Sequence, residues 1–375
     1  MVVVALNAGA ASHIASCYAI ERPIPLDAPK PLWFVEIEEA EATFASVLER
    51  VPETQPDVVV HRVVHPGLGT AIPDAAFVDE GVRNAIDDGR RFAPAHNALA
   101  LEGLAAATKR FPNARQCVAF DRAFRSDAPR VATTFPGPRL WRELDLRRIG
   151  FHGISHYDAI ERVAREVGRR DARVATIHLG SGCSISAFDG MRLIENTMGL
   201  TPLEGIVMGA RGGSFDPGLL LFLLKSGRYT VATLEDALYH ACGLKGVSDL
   251  SLDSRPVYAA ADAGDVDARL ALDLYCYRLR QGIGAIAATL GGLDAISWSG
   301  PVGEHMPRIR ATVSGGLAFL GVGIDAARNA ALPEQGTVPL TDITHVDASV
   351  RSFVVPTLEE WAMCRRAAAL RDERG

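Results

Sequence analysis

No stretch of this 375-residue chain approaches the roughly 18 to 20 unbroken apolar residues that a membrane span requires. The opening run, Met1 to Leu6, has no basic segment before it and ends at Asn7-Ala8-Gly9, so it reads as a buried strand entering a turn and not as a leader. Six cysteines, Cys17, Cys117, Cys183, Cys242, Cys276 and Cys364, are scattered without CxxC spacing. Neither a zinc site nor a disulfide framework is indicated, and a reducing, cytoplasmic setting is expected. Basic charge is not in excess: 45 acidic against 39 basic residues leave a formal charge of −6. That balance gives no electrostatic footprint for nucleic acid or an anionic membrane, so any anionic ligand must be held by local cations. Walker A and HExxH motifs are also missing.

What is present is an ordinary globular composition, 48% apolar and 22% charged with 35 Gly and 21 Pro, at a length that suggests two domains. The strand-like run Val2 to Leu6 with its Asn7-Ala8-Gly9 turn has a second copy in Val174 to Ile177, which enters His178-Leu179-Gly180-Ser181-Gly182 and then a further strand, Ser184 to Phe188. Two such units suggest duplicated halves. Apolar spacing predicts helices at about 79–90, 98–110, 157–167, 216–224, 268–290 and 359–371, and strands at 58–61, 116–120 and 295–298. Alternating elements of this kind indicate an α/β architecture. Pro136, Gly137 and Pro138 mark a loop over 135–146. The expected domains are 1–149 plus 361–375, and 150–360.

Glycine turns at Asn7–Gly9, Gly180–Gly182 and Gly300–Gly303 could let backbone N–H groups approach an anion, although each alone is commonly a plain turn. His152 and His156 stand four apart in Phe151-His152-Gly153-Ile154-Ser155-His156. With no third ligand nearby, capped or hydrogen-bonded histidines are the plainer reading than zinc.

These stretches, with Met198-Gly199-Leu200-Thr201-Pro202-Leu203-Glu204-Gly205, Met208 to Pro217, His61-Arg62-Val63-Val64-His65, Ala93 to Asn97, Phe120 to Phe124, Gly300 to Glu304 and Pro356 to Glu360, resemble the signatures of acetate kinases over nearly the whole chain. The resemblance implies two ribonuclease-H-like domains around a central cleft, as in actin, Hsp70 and sugar kinases, and a homodimeric enzyme that moves the ATP γ-phosphate to acetate or another short-chain carboxylate with Mg²⁺. Arg62 and Arg211 match the arginines that clamp the acyl and phosphoryl groups, a task suited to a permanently charged fork of donors. Asp121 and Glu359 match acidic residues near Mg²⁺ and the phosphate chain. Asn7 matches the amide at the first phosphate turn, beside the metal, and His152 the histidine that hydrogen-bonds the phosphoryl group. His178, with Gly180, Ser181 and Gly182, matches the second phosphate turn. Ser12, Asp253, Ser254, Arg255, Gly300, Pro301, Val302, Gly303 and His305 fall in the donor-binding positions. Val64, Phe151 and Pro202 match walls of the acyl pocket, and Ala95 stands where the family has Leu, so the resemblance implies room for propionate or a longer acid. His96 and His156 match structural neighbours.

The donor side departs from the family. Ala10, Ala11 and Ile14 replace two hydroxyls and a lysine, with His13 as a partial substitute; Ser181 replaces Asn, Pro301 replaces Gly, and His305 replaces Asn. Pro301 also removes an N–H. Two alternatives therefore stand beside the ATP-dependent kinase: a carboxylate kinase using pyrophosphate or another donor, and a weakly active or non-catalytic relative that binds acyl phosphates.

Overall fold

The computed structural model describes residues 1–8, 12–37, 43–69, 73–333 and 335–372. The Gly9–Ala11 part of the first phosphate turn, including the Ala10 substitution, lies outside the described residues. Two compact units are formed, one from residues 1–126, 133–158 and 358 onward, the other from 127–132 and 159–357. The divisions expected from sequence fell at 149/150 and 360/361. In the structure residues 150–158 stay with the first unit because Gly153 N donates to Asp121 O at 2.9 Å and Tyr157 Oη donates to Ala123 O at 3.2 Å.

The sheet of the first unit contains β1 (Val2–Ala8), β2 (His13–Ala19), β3 (Trp33–Ile37), β4 (Val58–Val63), β5 (Ala75–Phe77) and β6 (Arg115–Phe120). Its order is β3-β2-β1-β4-β6-β5. β1, β4 and β6 run parallel; β2, β3 and β5 are antiparallel to their neighbours. The second unit holds β7 (Arg173–Leu179), β8 (Cys183–Asp189), β9 (Arg192–Asn196), β10 (Ala295–Ser299), β11 (Thr341–Asp342) and β12 (Arg351–Val354). Its order, read from the other edge, is β9-β8-β7-β10-β12-β11 with the same pattern of parallel and antiparallel pairs. The duplication expected from the two strand-and-glycine runs is therefore present at the level of topology.

Both faces of the first sheet are covered, which is why β1 reads as an unbroken apolar run instead of alternating. Val3, Ala5, Val58 and Val60 pack on Trp361, Cys364 and Ala368 of the helix Glu359–Asp372. On the opposite face Val4, Leu6 and Val59 meet Phe44, Val47 and Ala107.

The long helices occur where apolar spacing predicts them: Glu80–Asp88, Pro94–Arg110, Gly153–Val167, Pro217–Lys225, Val266–Leu290 and Glu359–Asp372. Three start earlier than expected, at Pro94, Gly153 and Val266. Pro94 occupies a first-turn position, where its missing N–H costs no helical bond. Two expected loops contain helix instead. Residues 300–303, read as a glycine turn, open the helix Gly300–His305, with Pro301 in its first turn; Arg139–Glu143 is helical after Pro138.

Candidate active site

In the first unit, three residues expected from sequence to be functional sit at the carboxyl ends of the parallel strands, where open α/β sheets present ligands with loops and free backbone groups. Asn7 closes β1, Arg62 lies near the end of β4, and Asp121 follows β6. Arg62 Nε and Nη2 donate to Asp121 Oδ2 at 3.0 and 2.5 Å, and Nη1 donates to Asn7 Oδ1 at 3.3 Å. Asn7 Nδ2 in turn donates to Glu359 Oε2 at 3.0 Å and to Glu360 Oε1 at 2.8 Å. The last helix thus supplies two carboxylates, of which sequence comparison singled out only Glu359. The signal for Glu360 was its place beside Glu359 in the Pro356 to Glu360 stretch.

The charges in this cluster are unbalanced. Burial opposes the Arg62 charge, but Asp121 and Glu359 overcome it and hold the guanidinium firmly protonated. Burial raises the Asp121 carboxyl; Arg62 pulls it back, Glu359 pushes it up again, and the Ile154 N–H, 3.0 Å from Oδ1, favours the carboxylate. Glu360 is raised by burial and by its neighbour Glu359. Three carboxylates surround one guanidinium, so a further cation would be stabilised here. Among the described residues no three His, Cys, Asp or Glu side chains stand ready to hold a metal by themselves. That arrangement fits Mg²⁺, which retains waters and takes one or two protein carboxylates together with substrate phosphates.

His152 is buried and has φ of 59°, a left-handed conformation that a non-glycine residue adopts at a cost. It stands immediately before the helix Gly153–Val167, and its carbonyl accepts the His156 N–H at 2.9 Å. The two rings are 6.4 Å apart. Gly153 admits no side chain, because a Cβ there would lie 1.9 Å from Arg122 O.

Of the residues in this unit expected from sequence to line an acyl pocket, Phe151 is 1% exposed and Val64 7%, whereas Ala95 is exposed in the first turn of the helix Pro94–Arg110. Asn97 joins the two segments: its Oδ1 accepts from His65 N at 3.1 Å, and its Nδ2 donates to His65 O at 2.8 Å. His65 stacks on Phe92 and stands 6.0 Å from the Phe151 ring.

The register of β1 and β2 corrects one expectation. Asn7 pairs with Ile14, so Ile14 shares the Asn7 face, while His13 pairs with Ala8 on the other face and packs edge-on against Phe44. His13 is therefore turned away from Asn7 and does not replace the missing hydroxyls and lysine there. Ser12 precedes β2 and is partly buried.

In the second unit, His178 ends β7 in a buried position, beside Ser299 of β10. Gly180 N donates to Gly182 O at 2.9 Å, closing the turn around Ser181. A side chain at Gly180 would stand 3.6 Å from the Pro301 ring and 3.8 Å from His178 Nε2, so these three residues meet. Gly300 has φ of 78°, and a Cβ would lie 2.6 Å from Leu179 O. Its N–H donates to Glu304 Oε1 and Thr357 Oγ1 at 2.9 and 2.7 Å. Val302 and Gly303 continue this helix, and His305 Nδ1 lies 2.9 Å from Pro333 O. Asp253 caps the helix Ser254–Asp262 and pairs with Arg255 at 2.6 Å. Ser254 is buried, with an Oγ that has no hydrogen-bond partner among the described residues.

Arg211 lies in a loop tied to the second turn through Gly209 N, which donates to Ser181 O at 3.2 Å. Its Nη1 donates to the carbonyl of buried Pro202 at 2.8 Å. Burial lowers its affinity for the proton, offset in part by Cys183 and Tyr239, and no carboxylate pairs with it among the described residues. A guanidinium stays charged even so. A half-buried cation with no carboxylate partner among the described residues is poised to receive an anion.

A family model described as the Acetokinase family matches residues 34–365. The chain is 39% identical to the acetate kinase of Gloeobacter violaceus, over 97% of this chain and 98% of that protein. Among solved structures, the acetate kinase of Porphyromonas gingivalis superposes with a TM-score of 0.82 at 28% identity, covering 98% of this chain and 99% of that one. A propionate kinase from Francisella tularensis superposes with a TM-score of 0.81 at 25% identity, covering 96% and 97%.

Proposed function

The chain belongs to the acetokinase family and is an acetate kinase-type phosphotransferase with a carboxyl group as acceptor; from that premise we propose that it exchanges a phosphoryl group between ATP and a short-chain carboxylate. In the forward direction a carboxylate oxygen forms the new bond to the γ-phosphorus while the bond to the β,γ-bridging oxygen breaks, giving an acyl phosphate and ADP. Such a transfer needs positioned positive charge more than covalent chemistry. The observation that carries the reading is half-buried Arg211, which lacks a carboxylate partner among the described residues.

Arg62 and Arg211 are the guanidiniums that neutralise the acyl carboxylate and the phosphoryl group in flight. Asp121 fixes the Arg62 fork, and His152 offers a ring nitrogen to a phosphoryl oxygen. His178, Gly180, Ser181 and Gly182 hold donor phosphates; Asp253, Ser254, Arg255, Gly300, Pro301, Val302, Gly303 and His305 form the nucleoside side, and Ser12 the far edge of the first turn. Asn7, Glu359 and Glu360 would hold the Mg²⁺ of the nucleotide. When bound, Mg²⁺ supplies charge neutralisation across the phosphate oxygens.

Val64, Ala95 and Phe151 of the first unit, and Pro202 of the second, take the acyl-wall roles that their matches in the family imply. Ala95 in place of a leucine leaves space for about three methylene equivalents, and each buried substrate methylene is worth roughly 0.8 kcal/mol. The acceptor is therefore propionate or a longer acid in preference to acetate. The enzyme acts in the cytoplasm as a homodimer; no helix among the described residues is long and apolar enough to cross a membrane.

A hydroxamate assay over a matrix of acetate, propionate and butyrate against ATP, another nucleoside triphosphate and pyrophosphate tests these assignments together. Turnover with ATP and Mg²⁺, and a higher kcat/KM for propionate than for acetate, is expected. Turnover with pyrophosphate alone would overturn the donor assignment, and an acetate preference the acyl assignment.

A further inference from the structure

Arg366, on the helix that also carries Glu359 and Glu360, takes no part in the roles above. Its guanidinium makes no carboxylate hydrogen bond among the described residues. Instead Nη1 donates to Phe120 O at 3.3 Å and Nη2 to Gly153 O at 3.1 Å. These two carbonyls belong to the peptide units on either side of the Asp121 contacts. The first peptide continues as Asp121 N, which donates to Val63 O at 2.8 Å. The second continues as Ile154 N, which donates to Asp121 Oδ1 at 3.0 Å.

The Gly153–Ile154 amide is thus held between a guanidinium at its oxygen and a carboxylate at its N–H. Each partner polarises the amide in the sense that strengthens the other. The same peptide lies directly after His152, whose left-handed backbone needs surrounding structure to hold it. One turn away in the same direction of grip, Arg365 Nη1 donates to buried Asp158 Oδ1 at 3.2 Å, fastening the last helix to the helix Gly153–Val167.

We propose that Arg366 is a positioning residue for phosphoryl transfer: through the Phe120 and Gly153 carbonyls it sets the place of Asp121, hence of the Arg62 fork, and of His152. The inference rests on the catalytic reading of Asp121, Arg62 and His152. A lysine at this position keeps the charge but cannot span both carbonyls with a planar fork, so it restores only part of the function.

The test compares Arg366→Met and Arg366→Lys with the parent and with Asp121→Asn. The measurements are kcat per folded protein, with folding followed by circular dichroism, and the Ile154 amide resonance in protein labelled with ¹⁵N-isoleucine and assigned with Ile154→Val. A fall in kcat of about tenfold to a hundredfold is expected for Arg366→Met, a size typical of misplaced catalytic groups. Arg366→Lys is expected between that variant and the parent, with the Ile154 amide shifted in the same order. An unmoved Ile154 resonance in folded Arg366→Met, or equal kcat in the Met and Lys variants, overturns the proposal. If Asp121→Asn retains parental kcat, the catalytic reading itself has failed; if Asp121→Asn is inactive and Arg366→Met turns over like the parent, only the positioning role has failed.

Discussion

Arg62 and Arg211 show how the same side chain can be prepared in two ways. Arg62 is held in place by Asp121 and Asn7 before any substrate arrives. Arg211 Nη1 donates to the Pro202 carbonyl, and no carboxylate pairs with the guanidinium among the described residues, which suits the ligand-binding role proposed for it. Truncating Arg211 to Ala removes charge needed chiefly in the transition state, so kcat is expected to fall by about a hundredfold or more, while thermal stability holds or rises. Steady-state kinetics and a melting curve on the same preparation check both halves of that expectation. A second residue-scale outcome concerns His61, which is buried and hydrogen-bonded to Gln116 at 2.8 Å. Burial lowers its pKa from 6.5 to about 4. The unfolded chain therefore binds a proton that the folded chain refuses between these values. Stability from this group is complete above pH 6.5 and is lost as pH falls toward 4, by about 2 to 3 kcal/mol at pH 4.5. Denaturant unfolding of the parent and of His61→Gln across pH 7 to 4.5 should show a shallower loss in the variant.

At the scale of elements, the short helix Gly243–Ser248 acts as a template for the Arg211 loop. Cys242 N, Leu244 N and Lys245 N donate to Ala210 O, Met208 O and Gly209 O, all within 2.9 to 3.0 Å. Gly243 has φ of 66°, and a Cβ there would lie 2.3 Å from Met208 O and 2.8 Å from Arg211 O. Gly227 has nearly the same backbone, φ of 70°, with nothing nearby to meet a Cβ. Gly227→Ala should cost only backbone strain, about 1 kcal/mol, whereas Gly243→Ala should also displace Arg211 and lower kcat severalfold further. Equal activity in the two variants would mean that the template does not govern Arg211.

The same contrast explains what could be read from the chain alone. Periodicity revealed the buried strands Val2–Ala8 and Arg173–Leu179 and the long helices, because each repeats one burial pattern over many residues. It missed Ser254–Asp262 and Pro307–Gly315, whose prolines, Pro256 and Pro307, look like breaks yet fall in first turns. The motif residues Arg62, Asp121 and Glu359 could be named from sequence, but their direct contact could not. Nor could the sidedness of His13, since a strand residue faces one way or the other only once its partner strand fixes the register. Arg366 was invisible for a related reason: it acts on carbonyls, which carry no residue type.

For the molecule as a whole, the helix Pro217–Lys225 is the clearest unfinished surface. Leu219, Leu221 and Phe222 are 43%, 54% and 63% exposed, and none of its residues is buried. Contiguous exposed apolar surface of this kind is typical of interaction sites, so this helix is where the proposed homodimer is tested. Phe222→Asp is expected to shift the protein from dimer to monomer, measured by light scattering after gel filtration over a range of concentrations. A dimer of unchanged strength would move the interface elsewhere.

The first unit draws its last helix from residue 359 onward, although its first strand begins at Val2. During synthesis the second unit emerges complete while the first still lacks Trp361, Cys364 and Ala368 from its core. Glu359, Glu360 and Arg366 leave the ribosome with that same helix. A nascent or prematurely ended chain consequently carries Arg62 and Asp121 without the carboxylates and the guanidinium that organise them. Closing the core and assembling the proposed transfer site are one late event, so catalytic competence itself reports that synthesis has passed the helix Glu359–Asp372.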